Sequence, residues 1–226
     1  MPIRTLVIGN RNYSSWSLRP WALARHLGIE CAELRLPLHT AEFRTEIGRY
    51  SPTGAVPVLV EGDLRIWDSL AIIEYLSELA AGRGWPVDPS RRAEARAVAA
   101  EMHSGFGALR SSYPMNIRAR GRRVPMTAEL AAAVARIDAL WTQCRTRYAA
   151  DGPWLFGSYS AADAMYLPVA FRFQTYGTEG LGALARGYAA HATADPVIAP
   201  WVEAAITETD TLPGYDAGLV TTPQRR

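Results

Sequence analysis

Short apolar runs alternate with helical periodicity over the first eighty residues of the chain. Residues 4–9 are β-branched and aliphatic, and they predict a buried strand. The apolar spacing after them predicts a helix from Leu18 to about Leu27, with Ser15 or Ser17 as its N-cap. The pattern therefore opens with a strand, a polar and aromatic loop, and a helix.

The pattern then returns to strands. Residues 30–36 predict a second strand and residues 40–49 a short helix. Two apolar runs, 55–61 and 64–67, flank Gly62-Asp63, which is the strongest hairpin signal in the chain. These segments predict a crossover pair of strands followed by an antiparallel hairpin.

A helix beginning at Asp68-Ser69 completes the order β-α-β-α-β-β-α. After about residue 90 only helical spacing remains, in three long apolar segments. We therefore expect an α/β domain with a mixed sheet over residues 1–81, a linker over 82–89, and an all-α helical bundle over 90–226. The arginine-rich run 118–123 is expected to be a solvated loop between helices.

Composition excludes several classes of function. The formal net charge is only +2, which argues against nucleic acid as a partner. The 24 basic residues are all arginine, so Schiff-base and P-loop lysine chemistry are excluded. Cys31 and Cys144 have no metal-ligand spacing and are expected in the core, so no metal is predicted. No apolar run reaches membrane-spanning length, and we expect a cytoplasmic protein without a membrane partner.

Val56-Pro57 stands at the start of a strand whose pattern is buried. Proline cannot donate to a β-ladder. Two conformations fit this position. One is a cis peptide in a tight turn, which would leave the Val56 backbone facing outward, and the other is an ordinary trans proline at the first strand position. The residues alone leave both conformations open.

Ser160-Ala161-Ala162-Asp163 has the spacing of a capping box. The serine hydroxyl caps the helix, and the acid returns to the serine amide. The motif predicts a helix over residues 161 to about 173. We assign it a role in folding and none in chemistry.

The element order, Val56-Pro57, the stretch from Asp68 to Leu76 and the later capping box together resemble the cytosolic glutathione transferase superfamily. The loop from Ser14 to Arg19 is most similar to the serine-type zeta class, which includes maleylacetoacetate isomerases, although that class has a cysteine where this chain has Trp16. The resemblance implies a thioredoxin-like first domain and a helical second domain. It also implies a homodimer with glutathione in the cleft between domains.

The resemblance places glutathione on the first domain. The helix start at Asp68-Ser69 offers free amides and a partial positive charge to the γ-glutamyl carboxylate, and Asp68 suits the ammonium group. The backbone of Val56, ahead of Pro57, can pair with the cysteinyl backbone as an added strand. Two further residues expected to contact glutathione are Ser17 and His39.

The implied chemistry is activation of the glutathione thiol, whose ordinary pKa is about 8.5. A hydroxyl donor and a helix N-terminus both favour the thiolate. The family pattern gives this role to Ser14, and Ser15 is the near alternative. Ser17 can instead be only a helix cap, and Tyr13 is a further candidate because other classes use a tyrosine.

The thiolate is expected to attack an apolar electrophile that lies against the second domain. The residues expected to line that pocket are Trp16, His103, Phe106, Tyr113, Tyr166 and Arg172. The arginine that binds substrate carboxylate in the zeta-class isomerases aligns with Thr175, one helical turn from Arg172, so isomerisation is an alternative activity. A non-catalytic binding or scaffold protein of the same fold is a further alternative.

Overall fold

Four strands form a mixed sheet in the computed structural model of the chain, which describes residues 4–220. β1 (Arg4–Ile8) runs parallel to β2 (Ala32–Arg35) and antiparallel to β3 (Val58–Glu61). β4 (Leu64–Trp67) completes the predicted hairpin, so the strand order is β2-β1-β3-β4. The sheet and its order agree with the fold expected from the sequence.

Three helices accompany the sheet: α1 (Ser15–Leu27), α2 (Ala41–Glu46) and α3 (Ser69–Leu79). α1 and α3 pack against each other. α1 begins three residues before the position expected from the sequence, and its N-cap is Ser14 rather than Ser15 or Ser17. The reason is a turn in which the Ser14 amide donates to the Asn10 carbonyl, which brings the Ser14 hydroxyl to the helix start.

Helices form most of the second part of the chain. They are α4 (Pro89–Ser104), α5 (Gly107–Ser112), α6 (Ala128–Tyr148), α7 (Ala161–Tyr176), α8 (Ala183–Thr193) and α9 (Ala199–Thr207). α7 is buried along nearly its whole length and packs against α1, α4 and α8. The helix of the capping box therefore joins the helical part to the sheet.

One hydrophobic core runs through both parts of the chain. It includes Leu18 and Ile73 from the sheet side and Trp141 and Phe171 from the helical side. Cys144 is buried in this core, and burial raises the pKa of its thiol to about 12. Across residues 4–220, no helix combines the length and the apolar character needed to cross a bilayer.

The arginine-rich run departs from the expected solvated loop. Arg122–Arg123 forms β5, which pairs antiparallel with β6 (Leu219–Val220). Arg118 is half-buried and donates to the backbone carbonyls of Glu208 and Asp210. The prediction failed because these contacts join segments about ninety residues apart, which no local pattern encodes.

Candidate functional site

The loop between β1 and α1 brings three serines to one helix start. Ser14 is 5% exposed, and its hydroxyl oxygen accepts a hydrogen bond from the Ser17 amide at 3.4 Å. The Ser14 and Ser17 hydroxyl oxygens are 2.8 Å apart, and Ser17 Oγ also accepts from the Gly9 amide at 3.2 Å. Ser17 therefore joins Ser14, at the α1 start, to Gly9 after the end of β1.

Ser15 is held from the other domain. Arg172, on α7, donates from Nη2 to Ser15 Oγ at 3.1 Å and from Nη1 to the Tyr113 carbonyl. Burial lowers the pKa of Arg172 to about 10, with a smaller contribution from the Arg110 charge. The Ser15 hydroxyl thus accepts from a cation, which leaves its own hydrogen free for another acceptor.

The peptide bond between Val56 and Pro57 is cis. This is one of the two conformations left open by the sequence. Val56 lines both of two adjoining cavities.

The start of α3 carries a carboxylate and a hydroxyl. Asp68 accepts hydrogen bonds from the Leu70 and Ala71 amides at 2.8 and 3.3 Å, as the predicted cap of this helix. The Ser69 hydroxyl is buried and has no hydrogen-bond partner among residues 4–220. His103 from α4 reaches the same place, with Nε2 3.1 Å from the Asp68 carboxylate.

Two cavities open around these residues. The larger, of about 490 Å³, extends from the serines of the α1 start across His39 to Arg110 and Arg172 on the helical side. The smaller, of about 290 Å³, lies over the start of α3. Trp16 and Val56 line both cavities, so the two are parts of one cleft between the domains.

The cleft collects most of the residues proposed from the sequence. The larger cavity is lined by Ser14, Ser15, Trp16, His39, Val56 and Arg172. The smaller cavity is lined by Trp16, Val56, Pro57, Asp68, Ser69 and His103. Thr175, in contrast, is fully buried, and its single hydroxyl hydrogen is shared between the Asn116 and Phe171 carbonyls at 2.8 and 3.1 Å. Of the two α7 positions considered, Arg172 is the one that faces the cleft.

Four predicted site residues do not line the cleft. Ser17 is fully buried, and its hydroxyl bonds only Gly9 and Ser14 within the described chain, so it does not contact a ligand there. Tyr166 is fully buried beside Trp141. Tyr113 stacks on Tyr176, and Phe106 packs against Tyr166. Tyr113 and Tyr166 are buried core residues, and Phe106 is partly buried and packs against that core. Phe106 and Tyr113 flank the two ends of α5.

Tyr13, the tyrosine alternative for thiol activation, also lines the larger cavity. Its hydroxyl accepts a hydrogen bond from Arg118 Nη2 at 2.9 Å, so its own hydrogen, like that of Ser15, stays available to another acceptor. The Tyr13 ring lies 5.5 Å from the ring of Tyr215, which belongs to the C-terminal segment and lines the same cavity.

Arg19 and Arg110 were missed in the sequence. Arg19 is fully buried, and its guanidinium lies 4.1 Å from the centre of the Trp16 ring. In the part of the chain that the structure describes, none of its guanidinium nitrogens has a hydrogen-bond partner. Burial, followed by the charges of Arg172 and Arg110, lowers the pKa of Arg19 to about 9. Arg110 lines the larger cavity, where no lining residue is an aspartate or glutamate. The helical side of the cleft is therefore strongly cationic.

Comparison with known protein families matches each half of the chain. Residues 13–79 match the model of the glutathione S-transferase N-terminal domain, and residues 127–204 match that of the glutathione S-transferase C-terminal domain. Two dichloromethane dehalogenases share short stretches of sequence. The one from Methylophilus leisingeri is 62% identical over 37 residues, 16% of this chain and 13% of that protein. The one from Methylorubrum extorquens is 46% identical over 43 residues, 19% of this chain and 14% of that protein.

Solved structures share the fold. A glutathione transferase homolog from Burkholderia GL BGR1, with bound glutathione, has a TM-score of 0.68 at 19% identity, covering 89% of this chain and 97% of that one. A theta class glutathione S-transferase from Xanthomonas axonopodis pv. citri, also with glutathione bound, has a TM-score of 0.59 at 22% identity, covering 92% and 100%.

Proposed function

Because the chain belongs to the glutathione S-transferase superfamily, we propose that it binds glutathione in the cleft and activates its thiol for attack on an electrophile. The observation that carries the proposal is the convergence of Ser14, Ser15, Val56 and the α3 start on one opening. Each of these groups offers what one part of a short peptide thiol needs.

Glutathione has two carboxylates, an ammonium group and an extended cysteinyl backbone. The γ-glutamyl end fits the smaller cavity, where the unpartnered Ser69 hydroxyl and the positive end of α3 favour a carboxylate and Asp68 favours an ammonium. Val56 lines both cavities, and its backbone can pair with the cysteinyl peptide groups. The glycyl carboxylate then lies toward His39 and Arg44, which line the larger cavity.

Ser14 is our choice for the residue that contacts the sulfur. A hydroxyl hydrogen at the positive end of α1 stabilises a thiolate relative to a thiol. The thiol proton leaves to solvent. The sulfur lone pair forms a bond to the electrophilic carbon, and the bond from that carbon to the leaving group breaks with its electron pair.

A direct test is binding and turnover by the purified chain. We expect retention on immobilised glutathione and formation of the thioether, with release of halide, from a halogenated electrophile. Halogenated carbons are suitable probes because the two curated relatives are dichloromethane dehalogenases. A folded protein that neither binds glutathione nor conjugates any of several electrophiles would contradict the proposal and favour the non-catalytic alternative.

The arginines favour a second substrate that carries a negative charge, instead of the wholly apolar electrophile expected from the sequence. Arg110 and Arg172 face the larger cavity, and Arg19 lies behind Trp16. One thiolate balances only one of these three charges. A carboxylate on the electrophile would balance a second and would form paired hydrogen bonds with a guanidinium. The isomerisation of a dicarboxylate, the second candidate activity, draws on the same groups.

A matched pair of electrophiles tests this choice. We compare a chloronitrobenzoate with the corresponding chloronitrobenzamide and follow the ratio of their kcat/KM values. Arg110→Gln should lower the ratio by about tenfold to a hundredfold, because each lost charged hydrogen bond costs about 1.5–3 kcal/mol. Arg145→Gln is the control, since Arg145 is also half-buried and donates to a backbone carbonyl, that of Trp154, away from the cleft. An unchanged ratio in Arg110→Gln would exclude the anionic substrate.

We also propose a homodimer, as the family resemblance implies. The edge strand β4 exposes Leu64 and Trp67, at 44% and 47%, which supplies apolar surface for a partner. Light scattering on the purified chain should give twice the monomer mass, and a monomer mass at micromolar concentration would contradict this.

A further inference from the structure

Ser17 lies directly behind Ser14 and was expected from the sequence to contact glutathione. The side chain is fully buried, so that direct contact does not occur. Its hydroxyl oxygen nevertheless joins two groups. It accepts from the Gly9 amide at 3.2 Å and lies 2.8 Å from Ser14 Oγ.

Counting hydrogens fixes the direction of the bond between the two serines. A hydroxyl has one hydrogen to donate and two lone pairs to accept with. Within the described chain, the only acceptor in reach of the Ser17 hydrogen is Ser14 Oγ. If Ser14 donated to Ser17 instead, the Ser17 hydrogen would be buried without a partner, which costs about 1–3 kcal/mol. Ser17 is therefore the donor.

Ser14 consequently has no remaining acceptor capacity. Its oxygen accepts from the Ser17 amide at 3.4 Å and from the Ser17 hydroxyl at 2.8 Å. Both lone pairs are used, and the remaining hydrogen has no acceptor except a group in the cleft. A hydroxyl in this state can only donate to a ligand, which suits a thiolate and not a neutral thiol.

We infer that Ser17 is a positioning residue that holds Ser14 as a dedicated donor to the glutathione thiolate. The inference rests on the proposed function and goes beyond it by naming the residue that acts through Ser14. Three bonds run in one direction: from the Gly9 N–H to Ser17, from the Ser17 O–H to Ser14, and from the Ser14 O–H to the sulfur. Hydrogen bonds aligned in this way polarise and strengthen one another.

The test is a titration of the bound thiol, followed by the ultraviolet absorbance of the thiolate and by the pH profile of kcat/KM. Ser17→Ala should raise the pKa of bound glutathione by about half a unit to one unit and lower kcat/KM at neutral pH by about threefold to tenfold. Glutathione affinity at low pH, where the thiol is neutral, should be unchanged within twofold. The charged groups facing the serines, Arg172 with Arg110 and Arg19 behind, are the same in both proteins.

A double-mutant cycle separates positioning from a structural role. In the Ser14→Ala background, Ser17→Ala should shift the thiol pKa no further, because the link to the sulfur is already gone. Ser77→Ala, in an equally buried serine of α3, is the control for lost packing and should leave the thiol pKa as in the unmutated chain. Equal shifts in the two backgrounds would overturn the inference.

The outcomes also distinguish this inference from the proposed function. If Ser17→Ala does not fold, Ser17→Cys keeps a weaker S–H donor of similar size and should give a smaller rise in the thiol pKa. An unmutated chain that fails to bind glutathione would contradict the proposed function itself. The unmutated chain can instead bind glutathione and ionise its thiol, while Ser17→Ala and Ser17→Cys ionise the thiol at the same pH. That result would contradict only the role of Ser17.

Discussion

In the described chain, α1 and α7 each have a buried serine as N-cap, Ser14 and Ser160, and the two helix starts use their hydrogen bonds differently. At the start of α7, the Asp163 carboxylate accepts from the amides of Leu155 and Ser160, both at 2.9 Å, and from the hydroxyls of Ser160 and Tyr188 at 3.0 and 3.1 Å. At the start of α1, Ser14 accepts twice from Ser17 and keeps its own hydrogen. We call the α7 start closed, because its serine hydroxyl and amide both donate to Asp163. The α1 start is open, because the hydroxyl hydrogen of Ser14 remains free to donate.

The number of free donors at each helix start distinguishes a helix cap from a reactive group. Both serines satisfy backbone groups of their helices, so capping alone does not distinguish them. What distinguishes Ser14 is a spare donor that lines a cavity, whereas the α7 start lines neither part of the cleft. A third start, that of α3, belongs with Ser14, because the Ser69 hydroxyl is unpartnered and lines the smaller cavity.

Breaking the closed start should have the largest effect on stability. Asp163→Ala leaves four donors without their acceptor in a buried place. We expect the free energy of unfolding, measured in urea, to fall by about 3–5 kcal/mol. Ser158→Ala, at an exposed serine of the same loop, should cost under about 0.5 kcal/mol. A loss as small as the control's would mean that this network does not stabilise the α7 start.

The pH dependence of stability gives the next largest effect. Burial raises the pKa of Asp163 from 3.8 to about 6, although its hydrogen bonds act in the opposite direction. The pKa of Asp163 is higher in the folded chain than in the unfolded chain. Its contribution to the free energy of unfolding is therefore full below pH 4 and is lost as pH rises through about 6. Between pH 4 and 7, the free energy of unfolding of the unmutated chain should fall by on the order of 2–3 kcal/mol relative to that of Asp163→Asn. Urea unfolding of both proteins across that range checks the sign, and a relative gain would contradict it.

Ser14→Ala should separate chemistry from capping. We expect kcat/KM to fall more than tenfold, with glutathione affinity nearly unchanged and the free energy of unfolding lowered by about 1 kcal/mol. Ser160→Ala is the matched change at the closed start and should affect unfolding without shifting the thiol pKa. If Ser15→Ala has the kinetic effect expected of Ser14→Ala, the thiol contact belongs to Ser15, whose oxygen already accepts from Arg172.

Ser69→Ala should have the smallest effect. The lost hydroxyl has no partner within the described part of the protein, so unfolding should change by less than about 0.5 kcal/mol. Glutathione should bind about fivefold more weakly, since one hydrogen bond contributes about 1 kcal/mol. Isothermal titration calorimetry measures both affinities, and equal values would leave Ser69 without a role in binding.

Local patterns carried much of the fold. The hairpin at Gly62-Asp63, the cap at Asp68 and the capping box of Ser160 and Asp163 each depend on residues a few positions apart, and each is present in the structure. The exact start of α1 did not follow from such a pattern. It depends on a backbone bond from Ser14 to Asn10, and every serine in the loop is an acceptable cap by type.

The sequence predicted the part of the site that is formed by helix starts and by Val56. It did not predict the part where arginines from distant segments come together. Phe106, Tyr113 and Tyr166 share the spacing of core residues, and sequence spacing cannot separate a core ring from a cleft ring. Arg19 was missed for the opposite reason, since a charged residue on a helix is normally taken as exposed. Only the packing of Trp16 and the helical side shows that it is buried.

A crystal structure of this protein with glutathione would test directly whether Ser14 contacts the sulfur. We predict the sulfur within hydrogen-bonding distance of Ser14 Oγ, the γ-glutamyl carboxylate at Ser69, and the cysteinyl backbone paired with Val56. A sulfur bound to Ser15 or Tyr13 and out of reach of Ser14, or glutathione absent from the cleft, would contradict the account.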